Sequence, residues 1–243
     1  MNPKTSGISV ILPMRAGSKR VPKKNMRPFA SARFGLAEIK LRQLLQVPDF
    51  DEIIVDTDEP LIGELLSLLA DEGLATERIR VEPRDPLLAH DLASTDDLIR
   101  YAGAKSKSTH TLWTHVTSPL AGSDVYIDAI KKYQDSCLDG RWDSLMSVTP
   151  LQEFIWDENG PVNYDPAIER WPRTQTLPDW FFVNSAIFIA PTCLLRDEGR
   201  RVGDKPLLFR MDKVSSLDID GLDDFAMAQA VYQAVMQGKM SSN

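Results

Sequence analysis

The hydropathy pattern of this chain predicts an α/β fold: a mostly parallel sheet flanked by helices, with a small loop-rich insertion over 150–181. Three features predict it. Short apolar, β-branched runs alternate with stretches of helical period. The alternation holds as far as Pro150 and then breaks. A loop dense in basic residues directly follows the first strand, at the carboxyl edge where open α/β sheets bind ligands. The 243 residues read as one domain over 1–243, with no linker, internal repeat or low-complexity tract.

The elements follow in order. Ile8 to Leu12 is a buried strand bounded by Pro13. Leu36 to Leu45 has apolar residues at 36, 37, 39, 41, 44 and 45 and reads as a helix that Pro48 ends. Glu52 to Asp56 is a strand, Leu61 to Leu69 a helix closed by Gly73, and Ile79 to Val81 a short strand before Pro83. Ser94 opens a helix, with Asp97 at capping-box spacing. Thr111 to Val116 is a strand, Asp124 to Tyr133 a helix and Asp143 to Val148 a strand. Residues 150–181 are proline-rich, hold three of the five tryptophans and show little periodicity. Phe182 to Ile189 is a strand, and Leu207 to Phe209 and Leu217 to Ile219 are short strands. Phe225 to Met236 is a closing helix, with Asp223 and Asp224 as N-cap and first-turn acids.

A hydrophobic content of 43% supports a sizeable core and excludes a wholly disordered chain. No apolar run approaches the roughly 18 residues of a membrane span, and no signal-peptide pattern opens the chain. Cys137 and Cys193 make neither a disulfide framework nor a metal knuckle. A soluble, cytoplasmic protein is the expectation.

The net charge of −7 hides an asymmetry. Up to Ala37 there are eight Lys or Arg and no acid, so the rest of the chain is strongly acidic. Such a balance does not suit general nucleic-acid binding. It suits one small anion held at one place.

That place is Arg15-Ala16-Gly17-Ser18-Lys19-Arg20-Val21-Pro22-Lys23-Lys24-Asn25. It is neither GxGxxG nor GxxxxGK[ST]. Its chemistry still suits phosphate. Gly17 and Ser18 permit a tight turn presenting backbone N–H groups, and Arg15 and Lys19 can converge on a polyphosphate, with Lys24 as a further cation. Near the other end, Asp218 and Asp220 stand at i and i+2, on one face of an extended segment. Two such carboxylates suit Mg²⁺ shared with substrate phosphates, or else turn and capping chemistry. Together with the basic loop they suit phosphoryl or nucleotidyl transfer.

These residues resemble a known family. Arg15-x-x-Ser18-Lys19-x-x-Pro22-x-Lys24-Asn25 is similar to the signature loop of the acylneuraminate cytidylyltransferases, the CMP-sialic acid synthetases. Val55-Asp56-Thr57-Asp58 resembles the family's strand ending Ser-Thr-Asp. Arg84 with Leu88-Ala89-His90-Asp91-Leu92-Ala93-Ser94-Thr95 resembles its nucleoside-contact segment. Thr117-Ser118-Pro119-Leu120, Pro172-Arg173, Leu177-Pro178, Asn184-Ser185-Ala186-Ile187-Phe188 and Ser216-Leu217-Asp218-Ile219-Asp220 follow in the family's order.

The resemblance implies a Rossmann-like sheet of the nucleotide-diphospho-sugar transferase type. It also implies a CTP- and Mg²⁺-dependent homodimeric enzyme joining CMP to a nine-carbon 2-keto sugar acid. By carry-over, Arg15, Lys19, Lys24 and Asp218 serve catalysis. Arg15, Gly17, Ser18, Lys19, Asn25, Arg84, Ser94 and Thr95 contact the nucleotide. His115, Arg173 and Asn184 face the sugar acid, and Asp218 and Asp220 bind Mg²⁺. Residues 150–181 correspond to the family's dimerisation insertion.

Four positions depart from the family pattern. His115 replaces a glutamine, Ala121 an arginine, Asp56 a serine and Ser185 a glycine. The phosphate loop is intact and the acceptor side is altered. His115 fits a sugar contact, a proton acceptor or a hydrogen-bonded strand-end histidine. Two rival functions stay open: a synthetase for the eight-carbon acid KDO, and a CTP-binding homologue without catalysis. The Lys24-Asn25 pair points to the nine-carbon branch.

Overall fold

A computed structural model describes residues 7–85, 88 and 94–241. Seven strands form one sheet: β1 (Ile8–Met14), β2 (Phe50–Thr57), β3 (Ile79–Pro83), β4 (His110–Thr114), β5 (Ser144–Leu151), β8 (Trp180–Pro191) and β9 (Pro206–Arg210). Their spatial order is β3-β2-β1-β4-β8-β5-β9. All pairs are parallel except those of β8, which runs antiparallel to both β4 and β5. The predicted mostly parallel α/β sheet is therefore present.

Strand alternation splits the core in two. Val10, Leu12, Ile53, Val55, Leu112, Ile187 and Ile189 face one side, under helices α1 (Gly35–Leu45), α2 (Ile62–Asp71), α4 (Ser123–Cys137) and α5 (Leu222–Ser241). Ile11, Ile54, Trp113, Phe188 and Ala190 face the other, under α3 (Thr95–Lys105) and the short turn Leu194–Glu198. The sheet is covered on both faces, which is why its strands read as continuous apolar runs.

Two expectations need correction. Leu217 to Ile219 forms no strand, because Ile219 N–H and C=O are taken by Thr117 O and Lys24 Nζ rather than by a ladder. The irregular insertion is partly regular. β5 and β8 stay paired out to Leu151 and Trp180, and β6 (Trp156–Asp157) and β7 (Gly160–Pro161) form a small hairpin. Phe154, Tyr164 and Trp171 build its aromatic cluster, with Phe154 and Trp171 stacked at 4.8 Å. Asn163 is buried and ties the hairpin to Glu153 and Ile155.

The interruption in β8 shows how Asn184 is used. Ser185 sits at φ 59°, the left-handed region where a glycine is unstrained. Asn184 is 1% exposed, and its Oδ1 accepts from Ser147 Oγ and from Ala186 N–H, while Nδ2 donates to Thr149 Oγ1. The Asn184 amide thus closes the bulge from within the sheet.

Candidate active site

The basic loop leaves β1 at its carboxyl end and turns back into α1. Asn25 makes that return possible. It is buried, donates from Nδ2 to Arg15 O at 2.8 Å, and its own C=O accepts from Ala37 N–H at 2.9 Å. The loop is therefore pinned at both ends before any ligand arrives. Arg15, Ser18, Lys19, Arg20, Lys24 and Asn25 line a cleft of about 420 Å³.

The carboxylate pair lies in the same place. Ile219 is fully buried in the core, so its neighbours Asp218 and Asp220 flank it. Lys24 Nζ donates to Ile219 O at 2.8 Å, and both carboxylates act on the ammonium. Arg20 pairs with Asp220 at 2.8 Å. Thr117 O accepts from Ile219 N–H, and the Thr117 hydroxyl donates to Asp218. Residues 195 positions apart in sequence are thus hydrogen-bonded across one cleft.

The electrostatics suit a metal-bound anion. Burial raises the pKa of Asp218, and the neighbouring Asp220 raises it further. A divalent cation would relieve both effects. Burial lowers the pKa of Lys24, against the pull of Asp220 and Asp218. Among the described residues no set of three or more His, Cys, Asp or Glu could hold a metal ion. Two carboxylates with phosphate oxygens as further ligands are the arrangement Mg²⁺ accepts.

Other predicted residues are placed differently. The expected backbone N–H groups are partly used within the protein: Ala16 N–H donates to Asp58 at 2.7 Å and Ser18 N–H to Ala16 O at 3.0 Å. Gly17 has open space where a Cβ would stand and no positive φ, so its backbone does not demand glycine. Arg84 is buried and donates from Nε and Nη2 to Asp56 Oδ2, at 2.9 and 2.5 Å. Ser94 is the exposed N-cap of α3, its Oγ accepting from Asp96 N–H, and Thr95 is the first residue of that helix. Of the segment joining Arg84 to them, His90 and residues 86–87, 89 and 91–93 lie outside the described residues. Arg173 is exposed on the insertion. Asn184 is buried, and its amide is engaged by Ser147, Thr149 and Ala186 within the sheet.

His115 follows β4. Its Nε2 accepts from the Trp113 indole at 3.0 Å, which leaves the ring proton on Nδ1. Burial, together with Arg201, Lys24, Lys40 and Arg84, pushes its pKa down to about 3. A ring held neutral, with its lone pair already engaged, does not act as a proton acceptor near neutral pH. This geometry leaves Nδ1–H as a donor. It also makes a prediction. Between about pH 6.5 and 3 the unfolded imidazole binds a proton that the folded one refuses, so stability is lost as pH falls through that window. His115→Gln should recover on the order of 2 kcal/mol of that loss at pH 4, read from urea unfolding at pH 4 and pH 7.

Sequence reading missed three contributors. Lys40 on α1 is fully buried, and Nζ donates to Ser118 O at 2.8 Å, Ala121 O at 3.3 Å and Tyr126 Oη at 2.7 Å. Burial lowers its pKa to about 7, yet one acceptor meets each N–H of the charged form. It clamps the Thr117–Ala121 loop that carries Thr117 to Asp218. Its only sequence signal was a lysine inside an otherwise apolar helix stripe. Asp56 and Arg201 gave none beyond Asp56 standing where the family has serine.

The described geometry is a cationic loop facing a carboxylate pair at the carboxyl edge of a parallel sheet. The profile of a family described as cytidylyltransferase matches residues 9–73, which span β1, the whole basic loop, α1 and β2. Over most of its length the chain is similar to cytidylyltransferases. The pseudaminic acid cytidylyltransferase of Campylobacter jejuni is 23% identical to it over 229 residues, covering 92% of this chain and 95% of that protein. The N-acylneuraminate cytidylyltransferase of Escherichia coli O18:K1:H7 is 28% identical over 233 residues, covering 93% of this chain and 52% of that protein. The chain spans about half the length of the N-acylneuraminate cytidylyltransferases it matches. Two solved structures share its fold. A CMP:2-keto-3-deoxy-manno-octonic acid synthetase complexed with CTP superposes with a TM-score of 0.62 at 14% identity, over 96% of this chain and 100% of that one. A 4-diphosphocytidyl-2C-methyl-D-erythritol synthase from Anaerococcus prevotii gives 0.63 at 15% identity, over 94% and 96%.

Proposed function

We propose that this protein transfers CMP from CTP to the anomeric hydroxyl of a sialic-acid-like nonulosonic acid and releases pyrophosphate. One observation carries the reading: Lys24 of the phosphate loop is hydrogen-bonded to Ile219 O, between Asp218 and Asp220, in the cleft that Arg15 and Lys19 line. A triphosphate seated there meets cations along its oxygens and carboxylates at its metal. The acceptor oxygen attacks the α-phosphorus, the bond to the bridging oxygen of pyrophosphate breaks, and the acceptor's proton leaves to solvent.

The chain's own residues do three things in this step. Arg15, Lys19, Arg20 and Lys24 neutralise oxygens that would repel the nucleophile. Asn25 and Lys40 fix the two loops, so donors and carboxylates stand in place beforehand. Asp218 and Asp220 would hold Mg²⁺, which would polarise phosphate oxygens. His115 supplies a hydrogen-bond donor on the acceptor side. Homodimerisation through the insertion belongs to the same reading and is supported by exposed Trp156, Ile168, Trp171 and Phe182.

The test is pyrophosphate release from CTP and Mg²⁺ with N-acetylneuraminic acid, pseudaminic acid and 2-keto-3-deoxy-manno-octonic acid in parallel. Release with a nine-carbon acid is the expected result. Release with the eight-carbon acid alone replaces the acceptor assignment. CTP binding without release from any of them contradicts transfer.

A further inference from the structure

Arg201 has no task in the reading above, yet it acts on His115, as Lys24 of the cleft does. It lies on the α3 side of the sheet, in the segment between the Leu194–Glu198 turn and β9. Its guanidinium carbon stands 4.1 Å from the Phe188 ring centroid and 5.6 Å from that of Trp113. Those two residues face each other across the β4–β8 pairing, and both are buried. Nη1 lies 3.5 Å from His115 Nε2. Arg201 is only partly exposed, and no carboxylate is within ion-pair distance of it among the described residues.

That isolation is unusual in this molecule. The other cations that act on His115 are provided for: Arg84 has Asp56, Lys24 has the Asp218–Asp220 pair, and Lys40 has three oxygen acceptors. Desolvating a guanidinium is unfavourable unless an anion joins it. The segment carrying it is also held rigidly. Asp143 accepts from Asp204 and Lys205 N–H, and Ser144 Oγ accepts from Gly203 N–H. Aromatic faces below and a neutral imidazole beside it keep the planar fork oriented. The arrangement is a preorganised receptor for a carboxylate.

We propose that Arg201 receives the carboxylate of the acidic acceptor, with His115 and the Trp113–Phe188 pair as positioning residues for its guanidinium. This assignment rests on the transferase reading and names the group that selects an acid over a neutral sugar. Arg201 is not among the residues that line the basic-loop cleft, so the triphosphate is met by Arg15, Lys19, Arg20 and Lys24 and the acid by Arg201.

The test is steady-state kinetics of pyrophosphate release with the acid that the wild-type protein uses, for Arg201→Met and Arg201→Lys. Arg201→Met should raise KM for the acid by about tenfold to a hundredfold and leave KM for CTP within about threefold. Arg201→Lys should recover part of the loss, since it restores charge but not the fork. An unchanged KM for the acid overturns the assignment while leaving the transferase reading intact. A rise in KM for CTP instead moves Arg201 to the nucleotide and also overturns it. If Arg201→Met does not fold, Arg201→Lys with KM for the acid at the wild-type value overturns it equally. Should the wild-type protein release no pyrophosphate with any of the acids, the transferase reading falls and this assignment falls with it.

Discussion

Asp218→Asn is expected to lower kcat for CMP transfer by about 10³-fold while the protein stays folded. The side chain is nearly isosteric and can still accept from the Thr117 hydroxyl, so the loop contact of Asp218 survives. The loss is one negative charge from a pair. With Asp220 alone facing Lys24 and Arg20, the local balance turns positive and the cation site is half emptied. The Mg²⁺ concentration giving half-maximal rate should therefore rise as kcat falls. Rates at several Mg²⁺ concentrations, with the melting temperature as a folding control, check both points. A kcat within threefold of wild type would remove Asp218 from the reaction.

Asp56→Ala is expected to destabilise the fold by about 3–5 kcal/mol, because it leaves the buried Arg84 guanidinium unpaired. The pair is almost sealed from water, with both side chains under 5% exposed. Its worth is mostly avoidance of that stranded charge rather than net attraction. Hence Asp56→Leu combined with Arg84→Met should regain most of the stability lost by Asp56→Ala. Urea unfolding of the three variants gives the comparison. The double variant also tests Arg84 itself. Wild-type CTP affinity in a stable double variant would make Arg84 a brace for the ends of β2 and β3 and nothing more.

The fold was legible because the chemistry that makes it is local. Runs such as Ile8 to Leu12 and Glu52 to Asp56 are buried on both faces, and that leaves a continuous apolar signature. The antiparallel direction of β8 was not legible, since strand periodicity carries no direction. The closing helix, expected over Phe225 to Met236, spans Leu222–Ser241; Asp224 accepts from Asp220 and Gly221 N–H and so starts it at Leu222.

The site divides along the same line. The basic loop is contiguous, so its residues could be read together, and the Asp218–Asp220 spacing is itself a local signal. What joins them is Lys24 reaching Ile219 O across the fold, and no spacing encodes that. Arg84 and Asn184 carried motif likeness, yet the structure engages their polar atoms with Asp56 and with the β8 bulge. Lys40 and Arg201 were hidden for the opposite reason. Arg42 follows close on Lys40 and Arg200 directly precedes Arg201, so no spacing marks either one; desolvation without a carboxylate partner singles them out.

Calorimetric titration with CTP and Mg²⁺ addresses the shared grip on one triphosphate most directly. Lys19→Ala and Asp220→Asn, at opposite sides of the cleft, should each weaken CTP binding by about tenfold or more. Neither should alter the weak binding of cytidine, which lacks the phosphates. CTP affinity at the wild-type value in both variants would contradict the account.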